Sequence, residues 1–376
     1  MCPASLERPD LSSIEAKLAD SVPFGSAGYI SGKIAATYAK LLSFLAEDCI
    51  GARILLERLD TVGQAAQDAV FRDSIVRRTI EDGVCKIAKG IETIEQSVLD
   101  ELLSAAAENA KTAKRSLLNE SARCVPFEGD AGYGYIWTDD QPNTLAARRF
   151  REEILKRLPG LLIRVPTKAQ IDTLLAGARL AEHVAPRLGR SAMSHNFMVV
   201  IGEFPTGDQF NSLTMPGLPG VIFLSPNAVL NIADTAEAFF HEALHLKFLD
   251  IDYIHPLFVP GFRQESSPRI TPVWHNNKPG YGNWPVDRLL TSMHVYLALV
   301  VYLGKAGKGD GQGLFDPQVC AGRASQCKIR ATWLFETAQN YLELLSPAGK
   351  EFVALLGAEL TELKVQLPDS PQLSPA

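Results

Sequence analysis

Asp234-Thr-Ala-Glu-Ala-Phe-Phe-His-Glu-Ala-Leu-His-Leu-Lys-Phe-Leu249 is the stretch on which the reading of this chain turns. It contains His241-Glu242-Ala243-Leu244-His245, an HExxH pattern. On a helix, residues four apart stand one turn above each other, so both imidazoles can reach one metal ion with Glu242 beside them. The surroundings agree with a helix. Asp234 followed by Glu237 has the form of a capping box. Ala238, Phe239, Phe240, Leu244, Phe248 and Leu249 supply apolar surface that would bury it. A strand-like segment, Val221–Leu224, comes just before. The plainer alternative is a half-buried helix that happens to carry two histidines, but spacing, glutamate and preceding strand together favour a metal site.

Outward from this stretch the chain is mostly helical. Residues 12–120 hold two periodic runs, Ile30–Leu59 and Val84–Ala107, with apolar side chains near a 3.6-residue repeat. Such stripes make core. Cys124–Asn143, rich in glycine and aromatics, reads as a loop or short strand and a boundary, with Asp139-Asp140 solvated or capping. Helices are expected over 143–158 and from Thr167 through His183, where His183 is structural. Phe197–Gly202 and Val221–Leu224 are the best strands. The long polar connection between them offers Asn211, Ser212 and Thr214 as candidate substrate contacts. Residues 250–285 are proline-rich and irregular. A helix then starts near Pro285 and runs to about Leu303, followed by helices near 328–345 and 348–363. The expected fold is mainly α (α+β). It has a helical N-terminal region over 1–125, a metal-site domain over 126–365 with a zincin-like HExxH helix beside a small sheet, and a disordered tail over 366–376.

With 46% hydrophobic and 21% charged residues, the composition is that of an ordinary soluble protein, and the net charge of −6 argues against a nucleic-acid surface. The first ten residues show neither a basic nor an apolar region, so no signal peptide is expected, nor any apolar run long enough to span a membrane. Of six cysteines only Cys320 and Cys327 are close, at a spacing that suits neither a zinc knuckle nor a redox pair. Idle thiols in a reducing cytoplasm explain them.

A catalytic metal needs a third protein ligand. The extended HExxHxxGxxH pattern fails, because Phe248 and Ile251 occupy its later positions. Glu265 has a suitable spacing, yet Glu265-Ser-Ser-Pro268 is a poor helix interior. His255 and His275 lie in proline-rich loops. His294 stands on a helix with Asp287 and Thr291 on or near its stripe, either of which could orient the ring, and is the preferred ligand. A glutamate ligand would suit zinc hydrolysis with Glu242 as base. Three histidines with open positions also suit Fe(II) and a chelating 2-oxo acid.

Three runs carry a resemblance: Leu218–Ser225, His241–Lys247, and Trp284-Pro-Val-Asp-Arg-Leu-Leu-Thr-Ser-Met-His-Val-Tyr-Leu-Ala-Leu299. Together they resemble the HExxH-motif family of peptide-modifying enzymes of ribosomal natural-product pathways, which includes iron- and 2-oxoglutarate-dependent peptide β-hydroxylases. The similarity spans about residues 195–305. It implies that His241, His245 and His294 bind Fe(II), and that Arg288 binds a carboxylate of 2-oxoglutarate or of a peptide substrate, with or without a leader segment. Arginine's bidentate fork suits that role, although a surface arginine at a helix start is an equal alternative. The chain departs from the family pattern before Trp284. Ser267-Pro-Arg269 and Pro272-Val-Trp274-His275 are separated there and lengthened by Asn276–Asn283. The alternatives are a zinc metallopeptidase and a non-catalytic, metal-stabilised peptide-binding protein.

Overall fold

A computed structural model describes residues 11–112, 116–118, 124–129, 132–138, 141–205, 210–275 and 282–366. Asp139-Asp140, most of the Asn276–Asn283 insertion and the tail from residue 367 lie outside the described residues. In chain order the structure runs α1 (Ser12–Asp20), α2 (Ala27–Leu45), α3 (Ile50–Leu59), α4 (Gln64–Arg72), α5 (Ser74–Lys89), α6 (Gln96–Lys111), β1 (Cys124–Gly129), β2 (Gly132–Trp137), α7 (Leu145–Arg157) and β3 (Leu162–Arg164). It continues through α8 (Lys168–Val184), α9 (Pro186–Met193), β4 (Met198–Glu203), β5 (Ser212–Thr214), β6 (Val221–Leu224), α10 (Ile232–Ile254), α11 (Val286–Lys305), α12 (Pro317–Ala338) and α13 (Pro347–Gln366). This is the expected mainly α (α+β) class, with a small mixed sheet.

The chain forms two compact units. The larger holds Ser26–Glu182 and Arg190–Ile254; the smaller holds residues up to Gly25, His183–Gly189 and those from His255 onward. In the larger unit the periodic run Ile30–Leu59 becomes α2 and α3. The break falls where Cys49 takes an extended backbone and its sulfur accepts the Ala52 N–H. Asp100 of α6 accepts the Gly51 N–H at 2.8 Å, satisfying a second orphan donor of that helix start. Gly90, at φ 64°, closes α5 before the apolar pattern resumes in α6, a left-handed position that suits glycine.

The sheet of the larger unit has the order β1-β2-β4-β6-β5, with β3 also pairing β4. β2, β4 and β6 are parallel; β1, β3 and β5 pair antiparallel with β2, β4 and β6 respectively. All four residues of β6 and five of six in β4 are buried, as central parallel strands require, which is why both read as unbroken apolar runs. Gly220 bends the chain into β6 at φ 76°, and its carbonyl accepts the Phe197 and Met198 N–H groups. From the end of β6, a short 3-10 turn over Pro226–Val229 leads into α10. That helix packs against β5, β6 and α2.

In the smaller unit α11 packs on α1, α12 and α13. The 25-residue stretch Val286–Asp310 is long and apolar enough by composition to cross a membrane, a length the sequence reading did not anticipate. Some 72% of its apolar window is buried inside the protein, the pattern of a core helix. Glu15 of α1, 2% exposed, pairs with Lys305 of α11 at 2.5 Å. It also accepts the Arg187 and Leu188 N–H groups that open α9. Lys17 reaches Glu359 and Glu362 of α13.

Candidate metal centre

α10 starts two residues before the capping box suggested by the sequence. Asn231 caps it: its Oδ1 accepts the Asp234 N–H at 2.8 Å, and its amide donates to the Asp234 carboxylate. Asp234 therefore answers the cap from inside the first turn. Beyond it the helix is buried nearly all round. Thr235, Ala236, Ala238–Phe240, Glu242–Leu244, Leu246–Phe248, Asp250 and Ile251 are buried, while Glu237, His241, His245 and Leu249 form a half-buried stripe. The one partly open face of this helix is the face that carries both imidazoles.

His241 and His245 bring their Nε2 atoms to 3.2 Å. Two ring nitrogens each about 2.0–2.1 Å from one ion lie roughly 3.0–3.4 Å apart for bond angles near 90–110°. The pair thus fits two positions of a metal site. Glu242 is 3% exposed, and its Oε1 lies 3.9 Å from His241 Nε2. The Ser212 hydroxyl donates to Oε1 at 2.6 Å, and Thr214 also bonds the carboxyl. Burial pushes Glu242 above the usual carboxylate range, against the opposing pull of His241, Ser212 and Thr214. Ser212 and Thr214, candidate substrate contacts on sequence grounds, thus turn at least in part toward the motif glutamate.

One turn past the motif lies a network that the sequence did not announce. Asp250 receives Arg77 of α5 at 2.8 Å on one oxygen and meets His195 Nδ1 at 2.7 Å on the other. Burial alone would raise the Asp250 pKa, but Arg77 and His195 bring it down to about 2. Burial outweighs Asp250 at His195 and holds that imidazole below its ordinary pKa, hence neutral. Lys247, fully buried, donates to Ser191 Oγ at 2.8 Å. The second half of the metal helix is therefore anchored by charged groups as well as by apolar packing. Two lone charges three residues apart, Lys247 and Asp250, ordinarily mark a solvated face, so nothing in the sequence pointed to this anchoring.

Asn211, the third candidate contact, is exposed in the larger unit, where its carbonyl accepts the Ser225 N–H; the remaining sequence candidates belong to the smaller unit. His294 is 2% exposed on α11, its ring 5.8 Å from that of Phe352. Asp287 accepts from Gln264 at 3.0 Å. Glu265 is exposed in a 3-10 turn, His255 packs edge-on to Phe24, and His275 lies among Trp274 and Trp284. The Arg288 guanidinium rests over the Trp284 ring at 4.6 Å. Six residues separate Arg288 from His294, roughly 120° around the helix, so they stand on different faces of α11. His183 is exposed. Among the described residues no group of three or more His, Cys, Asp and Glu side chains is arranged to hold a metal ion. Compared with models of known protein families and with curated proteins, the sequence matches none.

Proposed function

We propose that this protein is a cytoplasmic Fe(II)- and 2-oxoglutarate-dependent oxygenase that hydroxylates the β-carbon of a residue in a peptide, in the manner of peptide natural-product enzymes. The observation that carries the reading is the converging His241–His245 pair on the open stripe of a buried helix. His241 and His245 would hold the metal, and the family resemblance implies His294 as a third ligand and Arg288 as a carboxylate contact. Iron with 2-oxoglutarate bound supplies oxygen activation. The Ser212 hydroxyl engages Glu242 on the oxygen nearest His241, which suits a carboxylate that shapes the site over one free to take a proton from water.

A peptide substrate is supported by β5. This strand ends the sheet order, and its residues reach Glu242. An extended peptide can add to such an edge through main-chain hydrogen bonds.

The second reading is a zinc peptidase, favoured by the 3.9 Å approach of Glu242 to His241 Nε2. The test is succinate formation from 2-oxoglutarate by anaerobically prepared, Fe(II)-loaded protein, supplied with oxygen and a peptide mixture. Turnover lost in His245→Ala and His294→Ala but retained in Glu242→Gln is expected. Peptide cleavage that depends on zinc and vanishes in Glu242→Gln would replace the oxygenase with the peptidase.

A further inference from the structure

Asp250 and His195 border a small pocket within the larger unit, lined also by residues of α2 and α4 and by Arg77 of α5. His195 Nδ1 lies 2.7 Å from the Asp250 carboxylate, so the ring proton sits on Nδ1 and Nε2 presents a lone pair. Burial keeps the ring neutral, which leaves that lone pair able to accept. Yet His195 is 6% exposed, and among the described residues its Nε2 has no hydrogen-bond partner. Arg77 Nε and both side-chain amide atoms of Asn196, the next residue, are shielded and unmatched as well. Buried polar atoms are normally paired, so four unpaired ones at and beside one pocket point to a ligand.

These atoms are of both signs. His195 Nε2 and Asn196 Oδ1 call for a donor, whereas Arg77 Nε and Asn196 Nδ2 call for an acceptor. The charges bordering the pocket are engaged already: Arg77 with Asp250, Arg72 with the Asn196 carbonyl at 3.2 Å, and Asp68 with Gln64 at 2.7 Å. A cation would meet two guanidinium groups, and an anion would meet the Nε2 lone pair with lone pairs of its own. A neutral hydroxyl suits both signs, because it donates and accepts at one atom. The enclosed space is about 20 Å³, room for one group of that size, and the buried Ile34, Ala35 and Phe71 supply an apolar wall.

We propose that this pocket binds the hydroxyl group of a small neutral alcohol, which donates to His195 Nε2 and lays its alkyl part against Ile34, Ala35 and Phe71. It stands apart from the oxygenase reading and needs no metal. Histidine side-chain nitrogen NMR on the metal-free full chain tests it, with 2-propanol and acetone as probes. The His195 signal is identified by its loss in His195→Gln. It should show a proton on Nδ1 and none on Nε2, and 2-propanol should shift it along a saturating curve. So small a ligand binds at best in about the millimolar range, which sets the span of the titration. Acetone has the same size and accepts without donating, so it should bind at least fivefold more weakly. Ala35→Leu fills the apolar wall, leaves the imidazole in place, and should abolish the saturable shift. A proton on Nε2, a shift by 2-propanol that is absent or does not saturate, or an equal response to both probes would overturn the proposal. The same holds for an undiminished response in a folded Ala35→Leu. The comparison of the two probes is made in the wild type, so it decides even where the variant does not fold.

Discussion

At the scale of single residues the informative position is Asp250. Its carboxylate is buried between Arg77 and His195, and removing it strands a buried guanidinium. Breaking such a pair costs about 3–5 kcal/mol. For a unit of this size, each kcal/mol moves the melting point by roughly 2–4 °C. Asp250→Asn should therefore melt about 6–20 °C below wild type in scanning calorimetry. The pH dependence has a definite sign. Both His195 and Asp250 have folded pKa values below their ordinary ones, so each stabilises above its unfolded value and that contribution fades as pH falls. Wild-type stability should decline first below about pH 6.5, through His195, and again from about pH 4 down to 2, through Asp250. Asp250→Asn should lose the lower step and keep the upper. A wild-type melting point that rises on acidification from pH 7 to 5 would contradict the assignment of His195 as buried and neutral. The histidine pair could be read from the sequence because its geometry is local, four residues on one helix. Asp250 could not: its partners stand 173 and 55 residues away, and nothing in a single sequence links them.

At the scale of elements, α10 is held at its first turns by a close approach to α8. A Cβ on Gly177 would lie 2.7 Å from Thr235 Cγ2, and Thr235 is itself fully buried and bonded to the Ala228 and Asn231 carbonyls. Gly177→Ala must push the helix start. Overpacking of this kind costs about 1–3 kcal/mol. Because His241 follows Thr235 by under two turns, the expected outcome is a lower melting point with weaker metal uptake in an Fe(II) or zinc titration. Unchanged values for both would show that the helix start yields freely. Elements with strong repeating patterns were legible: β6 matches the expected strand at Val221–Leu224, and α7 and α8 fall within two residues of their expected limits. The start of α12 was not. It begins at Pro317 under an Asp316 cap, eleven residues before the expected start, in a stretch with Gly322, Arg323 and Ser325 and no apolar stripe to betray it. Tertiary packing sustains a helix there that local pattern would not predict.

At the scale of the whole molecule, the smaller unit is stitched from three separated stretches of chain. Glu15 is its shared fastening, because one carboxylate both opens α9 and neutralises Lys305. Glu15→Ala leaves two helix-end amides and a largely buried ammonium without this partner, a loss of about 3–5 kcal/mol. Urea unfolding followed at Trp274 and Trp284 should shift to a lower midpoint in this variant, and Glu15→Gln should recover the amide acceptor but not the charge. An unmoved midpoint in Glu15→Ala would reduce the contact to a surface pairing. The same fastening sets an order of assembly during synthesis. Glu15 precedes Lys305 by 290 residues, so at about 5–20 residues per second it leaves the ribosome on the order of 15–60 s before its partner exists. Through that interval α1 has an apolar face, with Leu11, Ile14 and Leu18, whose permanent cover has not yet been made. The larger unit, whose last residue is Ile254, can close while α1 is still waiting, and α1 meets α11 last.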